Sequence, residues 1–247
     1  MIALLAWKML HSKPQIPEDI YPYLTSLEPD LVLSVQTEGL SLRPNAWIDI
    51  LAIRSTLSEK ELAPIIHQVY NNIHFDKINW GTIDQNKVKS INRKRDILQN
   101  FPYFEPGRFT FPVKGKTWYD NTFGADREGG KRRHEGTDLF GPEGTPIVSV
   151  CSGRVEQLGW NRLGGERVGI RGDDGNYYYY AHLYSIEPSL KVGQTISQNT
   201  LIGTMGHTGD ALTTPDHLHF GIELPNGQWI NPYPLLKVWH NQGFLAP

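Results

Sequence analysis

The sequence predicts a mainly β C-terminal domain of antiparallel sheet, preceded by a small α+β N-terminal region. Three observations carry this expectation. From residue 108 onward, short β-type runs are separated by Gly, Pro and Asp, and no long helical period interrupts them. Between residues 55 and 100, two stretches instead repeat apolar residues at helical spacing. Between these textures, "NFPYFEPG" supplies two prolines and Gly107. The expected division is therefore residues 1–107 and 108–247.

In chain order, "MIALLAWKML" is apolar but short, with no basic segment before it and no small-residue cleavage site after it. It reads as a first strand or helix of a folded domain rather than as a signal peptide. "DLVLSVQTEGLSLRPNAWIDILAI" shows strand-like alternation broken by Gly39 and Pro44. Residues 55–75 read as a helix: Ser58 and Glu61 make a capping box, and Leu62, Ile65, Ile66, Val69, Tyr70 and Ile73 recur at helical spacing. Pro64 falls early enough to be tolerated. Residues 84–100 read as a second helix whose Lys87, Lys89, Arg93, Lys94 and Arg95 form a solvated face. The runs "FTFPV", "TPIVSVCSGRVEQLGW", "RVGIRG", "NYYYYAHL" and "HLHFGIEL" then give strands, with "DDGN" closing a hairpin.

Composition narrows the function. The 247 residues carry a net charge of -2, which does not point to nucleic acid. No apolar run is long enough to span a membrane as a helix. The single cysteine, Cys151, excludes an intramolecular disulfide and a thiolate-rich zinc ribbon, and its strand-like surroundings read as a buried position. Nine histidines make their placement worth following. His67 and His74 lack partners at ligand spacing and read as surface or structural residues.

Two short motifs carry chemistry. In "HLHFGIEL", His217 and His219 are two apart and share one strand face, while Leu218, Phe220 and Ile222 face a core. In "KRRHEGTDLF", His134 and Asp138 are four apart, which places both on one face of an extended segment, and Gly136 removes bulk between them, so that a metal could approach. Imidazole nitrogen and carboxylate oxygen both suit zinc. In "YYYYAHL", His182 is expected to share a face with Tyr178 and Tyr180, and the tyrosines read as sheet packing. His182 then stands at the end of the run as a candidate base, and His207 in "GHTGD" is an outsider. These donors exceed what one four-coordinate ion with an open position needs, and the residues alone do not divide the roles.

"RRHEGTDLFGPEGTPIVSVCSGRV", "YYAHL", "LKVGQTISQNTLIGTMGHTGD" and "HLHFGIEL" together resemble the lysostaphin-type (LytM-like) zinc endopeptidases of bacterial cell-wall peptides. The resemblance runs from about Phe109 to Leu236, and "FGADREGGKRRH" is similar to a subset of the family. It implies antiparallel β-sheets with a substrate groove, one zinc ion held by His134, Asp138 and His219, and catalytic roles for His182 and His217. It also implies that the substrate is the stem peptides or cross-bridges of peptidoglycan, cleaved by zinc-activated water; a monomer is expected. A non-hydrolytic zinc-binding regulator of cell-wall enzymes is the alternative, and the presence of all five residues weighs against it. The family acts in the cell envelope or outside the cell; with no clear signal peptide, a cytoplasmic place stays open. One departure is Asp216, where the family usually has a small residue or proline.

Overall fold

The computed structural model describes residues 20–242, so the reading of "MIALLAWKML" lies outside the described residues. These residues divide into two compact units. One comprises residues 26–111 with 234–242 and is helical; the other comprises residues 20–25 with 112–233 and holds all the described strands.

The helical unit contains α2 (Pro29–Gly39), α3 (Ala46–Arg54), α4 (Glu59–Tyr70), α5 (Gln85–Asn100) and, from Pro234, α6 (Tyr233–Gln242). The strand-like alternation expected across residues 30–53 is helix instead. In α2, Pro29 sits in the first turn, where its missing N–H costs nothing, and Val32, Val35 and Gln36 form the buried face. In α3, every residue from Ala46 to Ile53 is buried. A helix enclosed on all sides carries no polar stripe, so its helical period disappears from the sequence. The helix expected over residues 55–75 runs from Glu59 to Tyr70, and Glu61 accepts hydrogen bonds from the Ser58 backbone N (3.0 Å) and Oγ (2.6 Å). The basic residues of α5 are partly turned inward. Arg95 Nε donates to Asp49 at 2.6 Å, Lys87 reaches Glu61, and Lys94 reaches the Ser55 carbonyl.

The β unit begins with α1 (Ile20–Ser26), whose Tyr21 hydroxyl donates to Asn176 at 3.0 Å. A two-stranded ribbon pairs β1 (Asp126–Arg127) with β2 (Arg132–Arg133). The main sheet contains β3 (Thr137–Phe140), β4 (Pro146–Val148), β5 (Gly153–Asn161), β6 (Gly165–Gly172), β7 (Tyr177–Ile186), β8 (Thr195–Ile196), β9 (Leu201–Met205), β10 (His217–Glu223) and β11 (Trp229–Ile230). Its central order is β11-β10-β7-β6-β5-β8, with β3 on β10 and β9 bridging β4 and β7; every pairing is antiparallel. The "DDGN" hairpin joins β6 to β7, with Gly175 at φ 85°. Of "FTFPV", only Val113 pairs, through a single bridge to Ile147. Leu218, Phe220 and Ile222 are wholly buried with Tyr178 and Tyr180, which leaves the odd-numbered residues of β10 for the opposite face.

Candidate metal centre and groove

β10 organises the site because two strands meet it in register. His219 lies opposite Asp138 of β3 and opposite Ala181 of β7, and His217 lies opposite Phe140. Cross-strand neighbours share a face, so Asp138, His217 and His219 are delivered to one surface by pairing alone. His134 precedes β3. It is fixed by two backbone bonds, from its own N to the Ala125 carbonyl (2.9 Å) and from the Gly124 N to its carbonyl (2.8 Å).

The donor atoms of three residues converge. His134 Nε2, Asp138 Oδ1 and His219 Nδ1 are each 3.0 Å from the other two. The His134 Nδ1 contacts the Thr122 carbonyl at 3.0 Å, and a carbonyl can only accept, so Nδ1 carries the proton and Nε2 presents a lone pair. Burial pushes the Asp138 carboxyl up, but the close polar contacts of the His134 and His219 ring nitrogens outweigh it and hold Asp138 well below the usual carboxylate range. Burial pushes His219 down, against the raising effect of Asp138. Electron-pair donors facing one point repel unless a cation or a proton lies among them. A tetrahedral zinc with bonds of about 2.0–2.2 Å sets its ligands about 3.3–3.6 Å apart, a few tenths of an ångström wider than this triangle, so the residues fit such an ion after a small outward shift.

Two further histidines border the triangle. His217 Nδ1 donates to the Pro215 carbonyl at 2.8 Å, and its Nε2 lies 3.9 Å from Asp138 Oδ1. His182 Nδ1 donates to the Thr208 carbonyl at 2.8 Å, and its ring centroid is 4.9 Å from that of His217. His182 does not share a face with Tyr178 and Tyr180, as alternation alone suggests. The β6–β7 register slips between Tyr180 and Leu183, so Ala181 and His182 together oppose Arg167, and His182 takes φ 62°. This bulge turns the imidazole to the groove side. A left-handed backbone at a non-glycine residue is held only when its surroundings fix it, here through His182 N to the Gly164 carbonyl at 2.7 Å. Burial, with the neighbouring His219 and His217, pushes His182 down to about 3, so it is neutral at pH 7.

The surrounding cleft of about 530 Å³ is lined by all five of these residues and by others that alternation did not single out. Tyr177 and Tyr179 fall on the groove face, because Tyr179 is opposite Gly221 and Tyr177 opposite Glu223. The four tyrosines thus split into a core pair and a groove pair. Tyr179 meets Trp229 edge to face at 6.1 Å and His219 at 6.0 Å. Arg127, within "FGADREGGKRRH", also lines this cleft. Its Nη2 donates to Asp138 Oδ2 at 2.5 Å, leaving Oδ1 for the triangle. Arg127→Ala is expected to keep the fold and weaken zinc binding about 10–100-fold, the usual cost of removing a hydrogen-bond partner of a ligand, as read by competition with a chelator. Unchanged affinity would refute the positioning role.

Gly136 acts differently from the expectation that it opens a path to the ion. A Cβ there would lie 2.5 Å from the Phe220 carbonyl and 2.6 Å from His219 Cε1. The glycine makes room for the ring of His219. Gly136→Ala is expected to destabilise the protein by about 1–3 kcal/mol and to weaken metal binding with it. Urea unfolding beside a zinc titration checks both, and wild-type values in the two assays would contradict the packing argument.

Residues 132–232 match the model of Peptidase family M23. Those residues form an M23-type peptidase domain. The chain is 37% identical over 180 residues to the L-Ala--D-Glu endopeptidase of Bacillus subtilis, which covers 68% of this chain and 55% of that protein. It is 34% identical over 109 residues to lysostaphin of Staphylococcus staphylolyticus, covering 42% of this chain and 22% of that protein. The chain thus spans about half the length of the first relative and about a fifth of the second. A Ruminococcus gnavus crystal structure, described as a candidate glycyl-glycine endopeptidase lytM, superposes with a TM-score of 0.59 over 96% of each chain at 24% identity. That likeness concerns the fold, which is the LytM type. The M23 match lies within the β unit and leaves residues 26–111 outside it.

Proposed function

We propose that the chain is a zinc-dependent endopeptidase that hydrolyses a peptide bond in peptidoglycan stem peptides or cross-bridges. The observation that carries this is the triangle of His134, Asp138 and His219 donors at 3.0 Å, bordered by His182 and His217 on the floor of one cleft. A Vibrio cholerae relative named as a peptidoglycan DD-endopeptidase, 38% identical over 101 residues, supports the substrate class.

In this reading His134, Asp138 and His219 hold the ion. Zinc bound there would supply Lewis acidity, acidifying a water and polarising the scissile carbonyl. His182 and His217 each keep Nδ1–H on a backbone carbonyl, so each presents Nε2 as the atom that exchanges protons. Being neutral, His182 can accept a proton at Nε2 and, once charged, donate it to the leaving amine. His217, 3.9 Å from Asp138 Oδ1, is placed to donate to developing negative charge once its Nε2 is protonated. Tyr177, Tyr179 and Trp229 give the peptide an aromatic wall and exclude water from one side. The envelope or the cell exterior is the proposed place of action.

Incubation with purified peptidoglycan of several chemotypes, followed by mass spectrometry of the fragments, tests this. New amino and carboxyl termini at one defined peptide bond are expected, and they should vanish with a chelator and return with zinc. Intact muropeptides under all conditions would refute hydrolysis and favour a non-hydrolytic module.

A further inference from the structure

Two features of the sequence stand outside the groove: His207 and the unusual Asp216. The structure brings them together with Glu143. His207 Nδ1 lies 2.6 Å from Asp216 Oδ1 and 3.7 Å from Glu143 Oε2, and one ligand atom from each residue falls within 4.8 Å of the others. Three separate loops supply them. Glu143 stands in the turn closed by Thr145 N on the Pro142 carbonyl, which Gly144 N ties to the Met205 carbonyl. His207 follows Gly206, whose carbonyl accepts from His217 N. Asp216 immediately precedes β10, and its carbonyl accepts from Gly141 N.

The charges in this cluster do not balance. Two carboxylates turn toward one imidazole nitrogen, whose single N–H can answer only one of them at close range. Asp216 is that partner, and among the described residues no hydrogen bond reaches the Glu143 carboxylate. All three side chains are between 30% and 44% exposed, so donors can remain partly hydrated and water can complete a coordination shell. None of the three lines the groove.

We propose that Glu143, His207 and Asp216 form a second divalent-cation site, distinct from the groove centre, that takes zinc through one imidazole nitrogen and two carboxylate oxygens. Nitrogen and carboxylate oxygen are both ordinary zinc ligands. A cation there ties the Glu143 turn and the His207 loop to the start of β10, where His217 stands. Because it binds the folded arrangement, it stabilises that arrangement by mass action. The site is half-open and has no thiolate, so it is the weaker of the two and fills as free zinc rises.

Equilibrium dialysis of the full chain against zinc, with metal counted per protein, tests the proposal in wild type, His207→Ala and Glu143→Gln. The wild type is expected to bind one more equivalent than either variant, and excess zinc is expected to raise the Tm of the wild type more than that of the variants. The comparison is a difference, so it stands whether or not the groove centre also fills. Equal zinc in the wild type and either variant would overturn the proposal and leave the cluster as a surface ion pair. Glu143→Gln is nearly isosteric, so a folding failure in His207→Ala does not remove the test.

Discussion

Asp138→Ala is expected to lose both tightly held zinc and peptide hydrolysis. The carboxylate contributes more than one ligand atom. It is 6% exposed, its Oδ1 meets His134 and His219, and its Oδ2 holds Arg127. Truncation leaves the Arg127 guanidinium beside the ion with no carboxylate between them, so a missing attraction is joined by a new repulsion. Removing even an outer partner of a ligand costs about 10–100-fold in affinity, and losing the ligand itself exceeds that. Hydrolysis is expected to fall by at least about a thousandfold, since one lost oxyanion donor alone costs about 10²–10³. Chelator competition and fragment release read the two effects. Activity within tenfold of wild type would contradict the role given to Asp138.

His182→Ala is expected to separate chemistry from metal binding. Turnover should fall about 10²–10⁴-fold, the range for loss of a positioned acid or base, while zinc stays at the wild-type level. His182 stands outside the donor triangle, and its Nδ1 bond to Thr208 commits the ring to proton exchange through Nε2. The bulge complicates the alanine variant, because φ 62° strains any residue with an ordinary side chain. His182→Asn is the cleaner partner: asparagine tolerates the left-handed region yet cannot carry the proton. Equal losses of kcat in both variants, with zinc retained, are the expected result. Activity preserved in the asparagine variant would show that the backbone shape, not the imidazole, is what the site needs.

The parts of this site that could be read from the sequence are those that depend on local period. His217 and His219 share a face with the three core residues opposite, and His134 and Asp138 do meet, at 3.0 Å, although a bend at Gly136 rather than an extended run joins them. His182 could not be placed by period, since a bulge shifts parity by one and leaves no mark in residue types. The same shift explains the tyrosines: Tyr177 and Tyr179 belong with the histidines because of their register on β10, a fact of pairing between residues some forty positions apart. Arg127 was within a quoted motif but gained a role only when the β1–β2 ribbon brought it to Asp138. In the helical unit, the capping box and the amphipathic pattern of α4 were legible, whereas the all-round burial of α3 erased its period and imitated a strand.

The proposed site divides its labour: three residues would hold the metal, and two histidines would do chemistry beside it. Zinc analysis of wild type and the five single alanine variants at His134, Asp138, His219, His182 and His217 tests it most directly. Each protein is passed into metal-free buffer first, so that only tightly held zinc remains. One equivalent is expected in the wild type, His182→Ala and His217→Ala, and none in His134→Ala, Asp138→Ala and His219→Ala. A full equivalent retained in His219→Ala, or lost from both His182→Ala and His217→Ala, would contradict it.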